Sequence, residues 1–132
     1  MKENTIYTIL IIVCILSILA VTILIFTTKN GESFTEIYFE NHQNLPKKID
    51  LNQNYGFYFT IHNLENQPFT YSYQINLDLD GKTQILKQNQ IILNHNQKQP
   101  IYHQFQINQP FQQGKIVISL LNKQQSIHFW LK

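Results

Sequence analysis

Five histidines, eight carboxylates and one cysteine are the residues with which this chain could do chemistry. Two imidazoles set one helical turn apart, with a glutamate between them, would hold a metal and activate water. His42, His62, His95, His103 and His128 offer no such spacing. His42 and His95 fall in expected turns, while His62 and His128 fall on polar or mixed strand faces, so their reading is structural. Glu36 and Glu40 share one strand face four residues apart, ~13 Å by strand rise. A glycosidase pair needs about 5–9.5 Å. Asp78 and Asp80 flank a hairpin and shape its turn, with a calcium site as the rival reading. Cys14 is the lone thiol and sits inside an apolar run. There is no GxSxG nucleophile motif, and four glycines leave no glycine-rich phosphate loop. No catalytic residue, metal ligand or cofactor site is assigned, and the chain is not expected to be an enzyme.

Composition narrows the classes further. Charged residues make up 14% of the 132 positions, against about 25% in ordinary soluble domains. All ten basic residues are Lys, and 14 Asn with 16 Gln carry most of the polarity. A net charge of +2 is too diffuse for a nucleic-acid binder, and without Arg the commonest specific base contact is missing. A single Cys excludes a disulfide scaffold and a cysteine zinc site. No N-x-S/T sequon occurs among the 14 Asn.

Two kinds of element must position whatever function remains. Ile6 to Phe26, IYTILIIVCILSILAVTILIF, is 21 residues without a charge. As a helix it spans ~32 Å, which matches a hydrocarbon layer of about 30 Å. A cleaved signal peptide would have a shorter apolar run and small residues at alternate positions, but Ile18 stands two before Ala20. The expectation is a retained single-pass anchor in a tail-and-helix region, 1–28, with the helix at 6–26. Cys14, Ser17 and Ala20 share about a third of its circumference and could let a partner helix approach closely. A short linker follows at 29–33. The seven residues Thr27 to Ser33 reach at most ~25 Å, which keeps the next domain near the lipid surface. The positive-inside rule has little to act on, so the extracytoplasmic placement rests on the ease of leaving the short tail inside.

From Phe34 the period becomes two. Phe69 to Leu79, FTYSYQINLDL, alternates strictly for eleven residues, as a half-buried antiparallel strand does. Tyr55 to Asn63, Phe34 to Glu40, Ile101 to Ile107, Lys115 to Leu121 and Ser126 to Leu131 read likewise. Ile49 to Leu51, Thr83 to Lys87 and Gln90 to Leu93 are shorter candidates. Asp80-Gly81 is a hairpin signal. Pro46, Pro68, Pro100 and Pro110 are expected between strands. The domain at 34–132 is therefore expected to be an all-β, immunoglobulin-like sandwich of about seven to nine antiparallel strands, held by Phe, Tyr, Ile and Trp130. A small barrel is the alternative.

Three stretches of the domain, in order, carry a likeness. Phe34-Thr35-Glu36-Ile37-Tyr38, then Ile61-His62-Asn63-Leu64-Glu65 with Phe69-Thr70-Tyr71, then Ile127-His128-Phe129-Trp130-Leu131 resemble the opening, middle and close of an uncharacterised archaeal membrane-protein family known as domain of unknown function 1616. Members of that family carry several membrane helices before the domain, where this chain has one. The resemblance implies an archaeal envelope protein with its β domain outside the cytoplasm, and no activity.

The leading functional expectation is an interaction or accessory subunit of a cell envelope, touching the lipid bilayer and another membrane or surface-layer protein. A pilus- or archaellum-like filament subunit is a second reading, although MKENTIYTIL lacks a pilin-type processing signal. A glycan-binding domain is the third, since Tyr58 and Tyr102 point away from the core set of their strands.

Overall fold

The pattern of apolar residues switches from a continuous run to alternation at Phe34, and the structure switches with it. In the computed structural model, residues 2–27 and 32–132 are described, with side chains at 4–26 and 32–132. Of the expected linker, residues 29–31 lie outside the described residues. The chain divides into two units, Met1–Ser33 and Phe34–Lys132.

The first unit is helix α1, Lys2–Thr27. Its stretch Asn4–Phe26 is long and apolar enough to cross a membrane, and none of it is buried within the chain. The hydroxyls of Thr8, Ser17 and Thr22 donate to the carbonyls of Asn4, Val13 and Ile18 at 2.7–2.8 Å. Each hydroxyl satisfies itself on its own backbone, as an apolar helix without polar neighbours requires. Ser17 thus spends its one donor within the helix.

The second unit has seven strands: β1 Phe34–Phe39, β2 Asn54–Leu64, β3 Phe69–Leu79, β4 Lys82–Leu93, β5 Lys98–Gln106, β6 Gly114–Leu120 and β7 Gln125–Leu131. They form two antiparallel sheets, β1-β2-β5 and β4-β3-β6-β7. This is an all-β, immunoglobulin-like sandwich. Phe57, Phe59 and Ile61 from one sheet bury against Tyr73, Ile75, Ile116, Ile118 and Phe129 from the other. Rings lock the two layers edge to face. Phe39 and Phe57 each lie 5.3 Å from Phe129, and Phe59 lies 5.6 Å from Tyr73. Such pairs add about 0.5–1.5 kcal/mol beyond area burial.

Four details depart from the sequence expectation. Thr83–Lys87 and Gln90–Leu93 are one strand, β4, because a bulge opposite Ile75 and Asn76 shifts its register and reverses its alternation. Ile49–Leu51 is not a strand, although Ile49 N–H donates to the Lys132 carbonyl at 3.0 Å. Pro100 lies inside β5. That strand is an edge, which tolerates a residue without an N–H. Trp130 does not hold the core, for it points outward and is 46% exposed.

Asp80 and Gly81 link β3 to β4 with φ of 50° and 81°. Positive φ at both central residues gives the turn whose twist matches a hairpin, and Gly adopts it freely. The Asp80 carboxylate also accepts from the backbone N–H groups of Gln112 and Gln113 at 3.0 and 2.8 Å, fastening the loop before β6.

Candidate functional site

The polar residues that alternation turns inward at one end of β2 meet in a closed network. Asn63 is fully buried. Its amide nitrogen donates to the carbonyls of Gln67 and Leu93, both at 2.8 Å. Its oxygen accepts from Glu65 N–H at 2.9 Å and from the Tyr71 hydroxyl at 3.1 Å. All four hydrogen-bonding positions of the amide are filled. Thr35 Oγ1 lies 3.0 Å from the Tyr71 hydroxyl and donates to Glu65 at 2.6 Å. Glu65 pairs with Lys123 at 2.7 Å, and Lys123 lies over the Phe69 ring. Burial raises the Tyr71 pKa, and the Glu65 charge adds to that against the Thr35 hydrogen bond. The cluster holds hydroxyls and a carboxylate but no imidazole, and every group spends its capacity on another. It locks the β2–β3 corner.

His62 is buried one position away, on the outer face of β2. Its Nδ1 lies 2.7 Å from Glu36, the residue opposite it on β1. A carboxylate can only accept, so Nδ1 donates. Nε2 lies 3.1 Å from the Asn96 amide. Thr60, which stands opposite Tyr38, donates to Glu40 just past the end of β1. Glu36 and Glu40 therefore each serve a neighbour on β2. Asp78 pairs with Lys115 at 3.7 Å, and Asp80 holds backbone N–H groups. Among the described residues no three metal-ligating side chains gather.

The histidines end in different roles. His95 accepts from Asn66 N–H at 3.2 Å. His103 turns inward on β5 and packs edge-on to Phe57 at 5.8 Å. Its buried Nε2 is without a hydrogen-bond partner among the described residues. Desolvation lowers its pKa, and nearby Lys87 lowers it further. His42 and His128, far apart in sequence, border the same open groove. No spacing rule could have joined them.

The outer face of β1-β2-β5 presents the sandwich's aromatic surface. Tyr58 and Tyr102 are directly opposed, with ring centroids 4.7 Å apart and planes at 39°. They are 52% and 49% exposed. Tyr38 lies beside them on β1, facing the same way. Gly56 explains the pose of Tyr102. A Cβ there would sit 2.6 Å from ring atoms Cε2 and Cζ, so only glycine lets the ring lie across the sheet. The sequence placed Tyr58 and Tyr102 on this face; the part played by Gly56 carried no sequence signal.

No family model matches the chain, and no curated protein matches it. Solved structures do. A β-glucosidase from Listeria innocua superposes with a TM-score of 0.62 at 12% identity, covering 75% of this chain and 16% of that one. An alkylpurine DNA glycosylase from Pseudomonas fluorescens gives 0.55 at 17%, covering 76% and 31%. The CARDB domain of a Pyrococcus furiosus protein, solved with di-metal ions, gives 0.53 at 13%, covering 76% and 91%. The match spans a small part of each enzyme and nearly all of the CARDB chain. At these identities the likeness is one of fold alone.

Proposed function

We propose that this chain is a membrane-anchored accessory module of an archaeal cell envelope, with its sandwich outside the cytoplasm and its β1-β2-β5 face docked on another envelope protein. The observation that carries the reading is the exposed Tyr58–Tyr102 pair, flanked by Tyr38. Tyrosine supplies large contact area at small entropic cost and is enriched where interfaces concentrate their energy. The apolar helix supports the anchor. Every carboxylate cluster that was a candidate for chemistry is committed to neighbouring donors, which favours binding over catalysis. The sandwich also resembles a CARDB domain that fills almost the whole of its own solved chain, so this architecture occurs as a self-contained module.

Mild-detergent purification of the full chain from its native membrane tests the reading. A stoichiometric partner is expected, lost at least tenfold in the Tyr58→Ala/Tyr102→Ala double variant while circular dichroism stays unchanged. Equal recovery with both chains would contradict it.

The pose of Tyr102 favours one second reading. A ring laid across a sheet can stack on a sugar, with Gln104 opposite Gly56 as a hydrogen-bonding neighbour, and the ligand would be an envelope glycan. Saturable binding of envelope polysaccharide that is lost with Tyr102→Ala, with no protein partner recovered, would select it.

A further inference from the structure

A groove on the opposite sheet gathers three of this chain's ten lysines onto one wall and its facing loop. After β1 the chain passes through the 3-10 turn His42–Asn44, and buried Leu45 pins it to the core. Lys132 N–H then donates to the Lys47 carbonyl at 2.7 Å, and Ile49 N–H returns the bond to Lys132 at 3.0 Å. This stitch lays Lys47 and Lys48 beside the end of β7. Alternation along β7 turns His128, Trp130 and Lys132 outward and Phe129 and Leu131 inward. The two walls enclose an open groove of about 480 Å³, lined by His42, Lys47, Lys48, His128, Trp130 and Lys132 over Phe129.

Six of the domain's eight lysines have no ion-pair partner among the described residues, and three of those six line this groove. Lys115 and Lys123 face Asp78 and Glu65. Among the described residues, Lys47, Lys48 and Lys132 have no carboxylate within ion-pairing distance, and no acidic residue lines the groove. Three lysines, two histidines and an amphipathic indole line the same groove. Ammonium groups bind phosphate as point charges. Trp prefers sites where one side is apolar and the other wet.

We propose that this groove binds a phosphate-bearing anion, with Lys47, Lys48 and Lys132 meeting the phosphate oxygens and Trp130 covering the body that carries them. The phosphate can belong to an anionic lipid headgroup or to a soluble phosphate compound, and the probes separate these sources.

Trp130 is the only tryptophan in the chain, so its fluorescence reports the groove directly. The full chain in neutral detergent is titrated with inorganic pyrophosphate and, separately, with short-chain phosphatidylglycerol. Short-chain phosphatidylcholine and sodium chloride of matched ionic strength are the controls. A saturable Trp130 shift is expected with phosphatidylglycerol, pyrophosphate or both, and with neither control. Response to the lipid alone assigns a headgroup, to pyrophosphate alone a soluble phosphate, and to both a general phosphate site. The Lys47→Gln/Lys48→Gln/Lys132→Gln variant should bind about a hundredfold more weakly, at about fivefold per lysine. Lys82→Gln/Lys98→Gln, which removes two lysines elsewhere, should bind within twofold of the native chain. No saturable shift with either probe, or an equal loss in the two variants, would overturn the proposal.

Discussion

Asn63 illustrates what the many amides of this chain do once buried. It spends two donors and two acceptor positions on four different partners. Asn63→Ala leaves the Gln67 and Leu93 carbonyls and the Glu65 N–H to find other partners. Unfolding in urea should show a loss of about 2–4 kcal/mol; a loss under about 0.5 kcal/mol would mean water replaces the amide without cost. Other Asn residues do different work. Asn52, Asn66 and Asn96 hold positive φ in turns, where Asn is favoured among residues bearing a side chain. His103 carries the residue-scale pH dependence. Its pKa is lowered from 6.5 by burial and by Lys87. Below 6.5 the unfolded chain takes up a proton that the folded chain resists. Stability should therefore be intact above that pH and fall on acidification, and His103→Phe should remove part of the fall. Parallel stability–pH curves for the two proteins would refute this assignment.

At the scale of elements, β3 could be read end to end from Phe69 to Leu79, because its alternation is unbroken and its inward set is all aromatic or aliphatic. Its neighbour β4 could not. The bulge opposite Ile75 and Asn76 puts Ile85 in register with outward Asn76 and exposed Lys87 in register with buried Ile75, so the apolar pattern changes phase in mid-strand. The same device protects the sheet. β4 is a twelve-residue edge with Ile85 and Ile92 more than half exposed. A bulge and a charged lysine in the register of the core-facing side are two ways to blunt such an edge against pairing with another chain. Lys87→Ile should make the protein associate at concentrations where the native chain does not, as light scattering would show; unchanged scattering would leave the bulge as sufficient protection. The sites were legible only where they lie within one or two strands. Tyr58 and Tyr102 were visible as outward residues of alternating runs. The groove of His42, Lys47, Lys48 and His128 was not, since it depends on backbone bonds between Lys47–Ile49 and Lys132.

The whole molecule joins an apolar helix to a sandwich whose two outer faces differ in kind. One presents tyrosines beside the Glu36–His62 and Glu40–Thr60 pairs, and the other carries three unpaired lysines around Trp130. Low overall charge leaves both features standing out from a weakly repulsive surface. The central claim is that the tyrosine face meets a protein partner, and photo-crosslinking tests it most directly. A benzophenone amino acid placed at Tyr58, with Gln88 on the exposed part of β4 as the control position, is irradiated in the full chain in its native membrane. One protein adduct of defined mass is expected from position 58 and none from position 88. No protein adduct at position 58, or the same set of adducts from both positions, would contradict it.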